Sequence, residues 1–201
     1  MKLNDACRKE QLKNIRALYE SAFPKSEKKP FRMILKGRQK GSYEIFALEG
    51  EAGEFLGLAI TMCCGELVLL DYFAIEPEHR EKGVGSQALK ALQQRYSGKK
   101  FLLEIESTVG LEEKGQNTRD DNSAIGADEA ARRLRRKAFY MRNGMAPMDF
   151  LVNLFGVEME LMTYECSVTF EEYHTIFEQL LPLGMASKIK LVSAAAIEEK
   201  R

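Results

Sequence analysis

Charge of one sign, histidine, paired cysteines and long apolar runs are all scarce in this 201-residue chain, and each shortage narrows what it can be. Lys plus Arg and Asp plus Glu both number 30, so no net field draws the chain to nucleic acid or an acidic membrane surface. Any electrostatic specificity has to be local. Two histidines, His79 and His174, and four cysteines, Cys7, Cys63, Cys64 and Cys166, without C-x-x-C spacing argue against a structural zinc site, and no metal is expected. No apolar run nears the roughly 18 residues of a membrane span. The opening "MKLNDACRKEQ" has no apolar signal core, so the sequence predicts a cytoplasmic protein with reduced thiols. No repeat and no low-complexity tract divides the chain, whose 45% hydrophobic content suits a sizeable core.

What is present reads as alternating strands and helices. Residues 2–7 suit a short strand, and Leu12, Ile15, Leu18, Tyr19 and Ala22 then recur at helical spacing. Pro30 fits the first turn of a second helix carrying Phe31, Ile34 and Leu35, with Gly37 expected to end it. "SYEIFALEG", "EFLGLAITMCC" and "ELVLLDYFAI" follow with only glycine-containing breaks, which predicts three sequential antiparallel strands. A helix after Gly85 places Ala88, Leu89, Leu92 and Tyr96 on one face, and "KKFLLEIES" is a further strand, parallel to the one before the helix. The polar stretch 108–128 lacks periodicity and is predicted to be a mobile surface insertion. Asp128 is the expected N-cap of a helix over 129–143, strands follow at "DFLVNLFG" and "VEMELMTYE", and Thr169-x-x-Glu172 is a capping box for a last helix that Pro182 stops. His79 is expected on an exposed loop and His174 on a helix surface.

The densest signal is "EPEHREKGVGSQALKAL", residues 76–92, where a strand, two close glycines and an amphipathic helix meet. A helix N-terminus behind a glycine turn gathers unpaired N–H groups and the positive end of the helix dipole on one spot, a general recipe for gripping phosphate. Gly83-x-Gly85-x-x-Ala88, with Glu104 downstream, matches a dinucleotide fingerprint. Seven residues including Pro77 separate the strand from the first glycine, however, and antiparallel strands precede it, which argues against a doubly wound sheet.

Arg80-x-x-Gly83-x-Gly85 after "YFAIEP", followed in order by helix, strand, helix and "FYMRNGM", resembles the acyl-CoA motif and the second signature of the GCN5-related (GNAT) N-acetyltransferases. The resemblance covers roughly residues 1–165. It implies an α/β fold with a GNAT-like mixed, centrally splayed β-sheet flanked by helices, a domain over 1–165, and a helical extension over 166–201 packed on the same domain. It further implies an enzyme that moves acetyl from acetyl-CoA to a primary amine on a small molecule, peptide or protein, by direct attack in a ternary complex. A homodimer stays open, and a non-catalytic CoA-binding sensor or interaction module is the alternative.

In that reading the N–H groups from Glu81 and Lys82 through Gly83, Val84, Gly85 and Ser86 wrap the pyrophosphate, Arg80 and Lys82 supply charge, and the Ser86 hydroxyl donates. The main chain of Phe73, Ala74 and Ile75 would pair with the pantetheine arm and polarise the thioester carbonyl. Tyr140 would protonate the departing thiolate; its alternative is a core aromatic beside Phe139. Asp71, Glu104 and Glu106 are candidate bases, and alternation puts the two glutamates on one strand face. Arg133 stands where many members carry an asparagine, and Gly144-Met145 replaces the usual Gly-Phe turn. Arg132, Arg133, Arg135, Arg136 and Lys137 form a cationic run, read either as a solvated face or as an anchor for the CoA 3′-phosphate or an acidic acceptor.

Overall fold

A computed structural model describes residues 1–111, 126–181 and 184–192 of the chain. It falls into two compact units, Met1–Phe101 and Leu102–Arg201. The first holds β1 (Lys2–Asp5), α1 (Lys9–Ala22), α2 (Phe31–Gln39), β2 (Tyr43–Glu49), β3 (Phe55–Cys64), β4 (Leu67–Ile75) and α3 (Val84–Arg95). Its strands lie in the order β1-β2-β3-β4 and every neighbouring pair is antiparallel, as the short glycine-containing breaks require. Ile15, Leu18 and Tyr19 of α1 and Ile34 of α2 are buried, as are Ile45, Phe46 and Leu48 of β2 and Leu58 and Ile60 of β3. Near-continuous apolar β3 is thus a core strand.

Two helix boundaries differ from the sequence expectation. Gly37 lies inside α2, which runs on to Gln39. A Cβ at Gly37 would come within 2.3 Å of the Tyr43 ring, so this glycine serves side-chain packing, and Gly41, at φ +77°, takes the left-handed turn beyond the helix. Helix α3 starts at Val84 rather than after Gly85, with Gly83 as its N-cap.

The second unit contains all but the start of β5 (Lys100–Glu106), then α4 (Ala127–Arg142), β6 (Met145–Leu154), β7 (Val157–Tyr164), α5 (Phe170–Leu180) and β8 (Ile189–Val192). Its strand order is β5-β7-β6-β8, with β6 antiparallel to both neighbours. Phe155 and Gly156, both at positive φ, make the two-residue turn between β6 and β7. Helix α4 opens one turn earlier than expected, with Gly126 as N-cap, and Asp128 sits inside the first turn, where its charge suits the helix dipole. The Thr169–Glu172 capping box is present: the Thr169 hydroxyl accepts from the Glu172 N–H and the Glu172 carboxylate accepts from the Thr169 N–H. Pro182 lies outside the described residues, as do residues 112–125 of the expected insertion.

Strand β8 is an addition that periodicity did not reveal; four residues are too few to carry an alternating signal. His174 is also more engaged than a surface residue. Nε2 lies 2.9 Å from the Ala186 carbonyl and Nδ1 lies 3.1 Å from Glu178. The four cysteines are free, and no described helix is long and apolar enough to cross a membrane.

Candidate active site

In the first unit, β4 ends at Ile75, a single 3-10 turn spans Pro77–His79, and α3 begins at Val84. Between them the backbone is left-handed at Glu81 (φ 62°) and again at Gly83 (φ 77°). Such conformations next to right-handed neighbours turn successive N–H groups toward one side of the chain. A Cβ on Gly83 would meet nothing closer than 4.0 Å, so the glycine is there for its dihedral angle and not for space. No side chain caps α3, which leaves the first-turn N–H groups of Val84, Gly85 and Ser86 without an intrahelical acceptor. These are the features of an anion-binding helix start.

Arg80 is partly committed. Its Nε donates to the Ile75 carbonyl at 3.0 Å, bracing the loop against the end of β4. The inward main-chain groups of Phe73, Ala74 and Ile75 register against Ala59, Leu58 and Gly57 of β3. Phe73 and Ile75 pack with Val84 over Leu48, Leu56 and Ala88, which seats the loop on a small apolar cluster.

In the second unit the three candidate side chains are all placed by tertiary contacts. Tyr140 ends α4 buried, 9% exposed, with its ring edge-on to Phe139 at 5.2 Å between centroids. Among the described residues its hydroxyl has no hydrogen-bond partner. Desolvation lifts its phenol from 10.0 to about 12, partly opposed by the Arg136 charge and reinforced by Glu106. Glu104 accepts a 2.5 Å hydrogen bond from the Tyr173 hydroxyl of α5, and Glu106 forms an ion pair with Arg136 of α4. Alternation along β5 therefore holds, with half-buried Glu104 and Glu106 flanking buried Ile105. Asp71, in the first unit, is held by Lys29 through both carboxylate oxygens at 2.7 Å.

The cationic run on α4 is largely used internally. Arg132 and Arg133 pair with Glu129, Arg136 with Glu106, and Lys137 with the buried Glu160 at 2.7 Å. Glu160 also accepts from the main-chain N–H and the hydroxyl of Thr108, at 2.6 and 2.7 Å, so the segment that leaves β5 starts from a buried polar anchor. Sequence reasoning did not single out Lys29, Tyr173 or Glu160; their roles come from pairing across long sequence separations, for which a single sequence carries no signal. No group of three or more His, Cys, Asp or Glu side chains among the described residues could hold a metal ion.

No protein-family model matches the sequence, and neither does any curated protein. Solved structures do. A Bacteroides thetaiotaomicron protein described as an acetyltransferase of the GNAT family superposes with a TM-score of 0.66 at 17% identity, covering 90% of this chain and 96% of the other. Spermidine N-acetyltransferase from Vibrio cholerae, in complex with CoA and spermine, gives 0.58 at 13% identity over 86% and 96%. The ribosomal-protein-S18-alanine N-acetyltransferase of Escherichia coli gives 0.54 at 16% identity over 85% and 96%. Strand and helix order, the glycine loop opening α3 and these superpositions together identify the chain's mixed α/β architecture as the GNAT acetyltransferase fold.

Proposed function

We propose that this chain is an acyl-CoA-dependent N-acetyltransferase that transfers acetyl from acetyl-CoA to a primary amine by direct attack in a ternary complex. The observation that carries the reading is the left-handed, uncapped entry to α3, residues 80–86, in a chain with this fold. A pyrophosphate there accepts from N–H groups that have no other partner within the helix, while Lys82 and Ser86 add a charge and a hydroxyl. Phe73, Ala74 and Ile75 lie along the pantetheine arm. The catalytic domain spans 1–165, and 166–201 is its docked extension.

Tyr140 donates to the departing sulfur. With the phenol near 12 and a free thiol near 8.5, complete proton transfer runs uphill by about 5 kcal/mol. The hydroxyl therefore serves as a hydrogen-bond donor to sulfur while negative charge develops. Glu104, Glu106 and Asp71 are the carboxylates that could relay the amine proton through water. That all three already have partners favours transfer without a dedicated base, and it also favours the second reading, a CoA-binding module without turnover.

Thiol release from acetyl-CoA, measured against a panel containing alkyl amines, a polyamine and a peptide with a free N-terminus, separates the two. The polyamine and the peptide follow the named activities of the Vibrio and Escherichia structures. Amine-dependent release establishes the transferase; tight acetyl-CoA binding with no release above hydrolysis for any amine establishes the module.

A further inference from the structure

The loop between α1 and α2 carries Lys29 in an exposed, irregular stretch, yet its ammonium is the best-surrounded cation of the first unit. Nζ lies 2.7 Å from both oxygens of Asp71 and 3.3 Å from the Met62 sulfur. The Tyr72 and Tyr43 ring centroids stand 5.6 and 6.0 Å away. A carboxylate at the bottom and electron-rich aromatic faces at the sides make up the recognition chemistry of an alkylammonium. Only 9% of the Asp71 side chain and 20% of the Lys29 side chain are exposed.

The backbone builds this arrangement at a cost in regularity. Ile60 of β3 pairs with Tyr72 and Thr61 with Leu70, so Asp71 is the extra residue of a β-bulge. In an unbroken strand Asp71 and Tyr72 would face opposite ways; here both reach Lys29, Asp71 at the ammonium and the Tyr72 hydroxyl accepting from its main-chain N–H at 3.0 Å. The main chain of the loop is held separately. The Tyr19 hydroxyl donates to the Lys29 carbonyl at 2.8 Å, and the Tyr72 hydroxyl donates to the Glu27 carbonyl at 2.8 Å. The Lys29 side chain can therefore rotate out of the pocket while the loop keeps these three main-chain bonds.

We propose that Asp71, Tyr43, Tyr72 and Met62 form a recognition pocket for an aliphatic primary ammonium, that Lys29 is its resident internal occupant, and that an external alkylammonium binds by displacing the Lys29 side chain. A tethered occupant competes at an effective concentration on the order of millimolar, so it screens out weak amines and admits those that bind the pocket well. That the ligand is the acetyl acceptor rests on the transferase reading above. That the pocket takes an ammonium does not.

The probe is n-propylammonium, which matches the atoms removed by Lys29→Ala. Calorimetry on the full chain should show it binding Lys29→Ala at least about tenfold more tightly than wild type, the factor expected when a tethered competitor is removed. The Lys29→Ala/Asp71→Asn double variant should lose that gain. A folded Lys29→Ala protein with no gain, or a gain that survives Asp71→Asn, overturns the proposal and makes the pair a structural salt bridge. Should Lys29→Ala not fold, the wild type decides. In lysine-labelled protein, the Lys29 ammonium resonance should move toward its solvent-exposed position on titration with propylammonium chloride and stay in place with sodium chloride at equal ionic strength. An unmoved resonance sinks the idea. Neither measurement uses acetyl transfer, so failure of the transferase reading and failure of this one are told apart.

Discussion

Residues 80–86 of the first unit and Glu104, Glu106 and Tyr140 of the second are built on opposite principles. The loop offers main-chain groups: its N–H donors at Val84, Gly85 and Ser86 follow from a left-handed Gly83 and an uncapped helix start. The second set offers side chains, and the partner of each decides what it can do. Glu104 is bonded to Tyr173, Glu106 is paired with Arg136, and Tyr140 is sealed from water. A backbone site is thus specified by a few local dihedral angles. A side-chain site of the same importance depends on residues thirty to seventy positions away.

The comparison breaks first, and hardest, at Gly85→Glu. A carboxylate in the first turn of α3 suits the helix dipole, so the protein should stay folded, but it puts negative charge where a phosphate would accept. Calorimetry should show acetyl-CoA binding lost, with NAD not competing in the wild type. Retained binding would mean that the backbone donors are not the ligand's partners, and competition by NAD would revive the dinucleotide reading.

Next in size is Tyr140→Phe, which keeps the ring and removes the hydroxyl. The rate should fall about 100-fold with little change in acetyl-CoA affinity, the scale of a lost hydrogen bond to developing charge. Because burial raises the phenol to about 12, its O–H persists above the ordinary value of 10.0, and the wild-type rate should show no descending limb from this group below about pH 10. Its contribution to stability is present below pH 10 and is lost as pH rises toward 12. A descending limb near pH 8 that vanishes in the Phe variant would assign Tyr140 a perturbation opposite to that expected from its burial.

Smaller effects are expected at the committed carboxylates. Glu104→Gln and Glu106→Gln should each lower the rate by less than about tenfold, well short of the 10²-fold or more of a general base. A larger deficit that recovers as pH rises and the amine loses its own proton would identify that glutamate as the base. Smallest is Gly83→Ala, which places a Cβ at φ +77° in open space. It should cost about 1–2 kcal/mol in denaturant unfolding, from backbone strain alone. A cost near zero would show that the loop relaxes to another conformation and that Gly83 does not hold the donors in place.

How much of this was legible in advance follows the same division. Helix α1, the three strands β2 to β4 and the capping box of α5 are visible because apolar period and local turn chemistry coincide with burial. Gly37 misled because a glycine kept for the Tyr43 ring has the same letter as one kept for a turn. Asp128 misled because a first-turn acid and an N-cap acid both favour the helix start.

The sequence by itself determined the succession of strands and helices, the anion-binding character of the turn into α3, and the resemblance that predicted the fold, because each rests on contacts within a few residues. The tertiary structure alone decided that Asp71 stands at a bulge facing Lys29, that Tyr173 bonds to Glu104 and Arg136 pairs with Glu106, and that Tyr140 is buried deeply enough to shift its phenol. Each of those depends on which distant side chain meets a given atom and on how much water is excluded there, and both are properties of the packed chain rather than of any stretch of it.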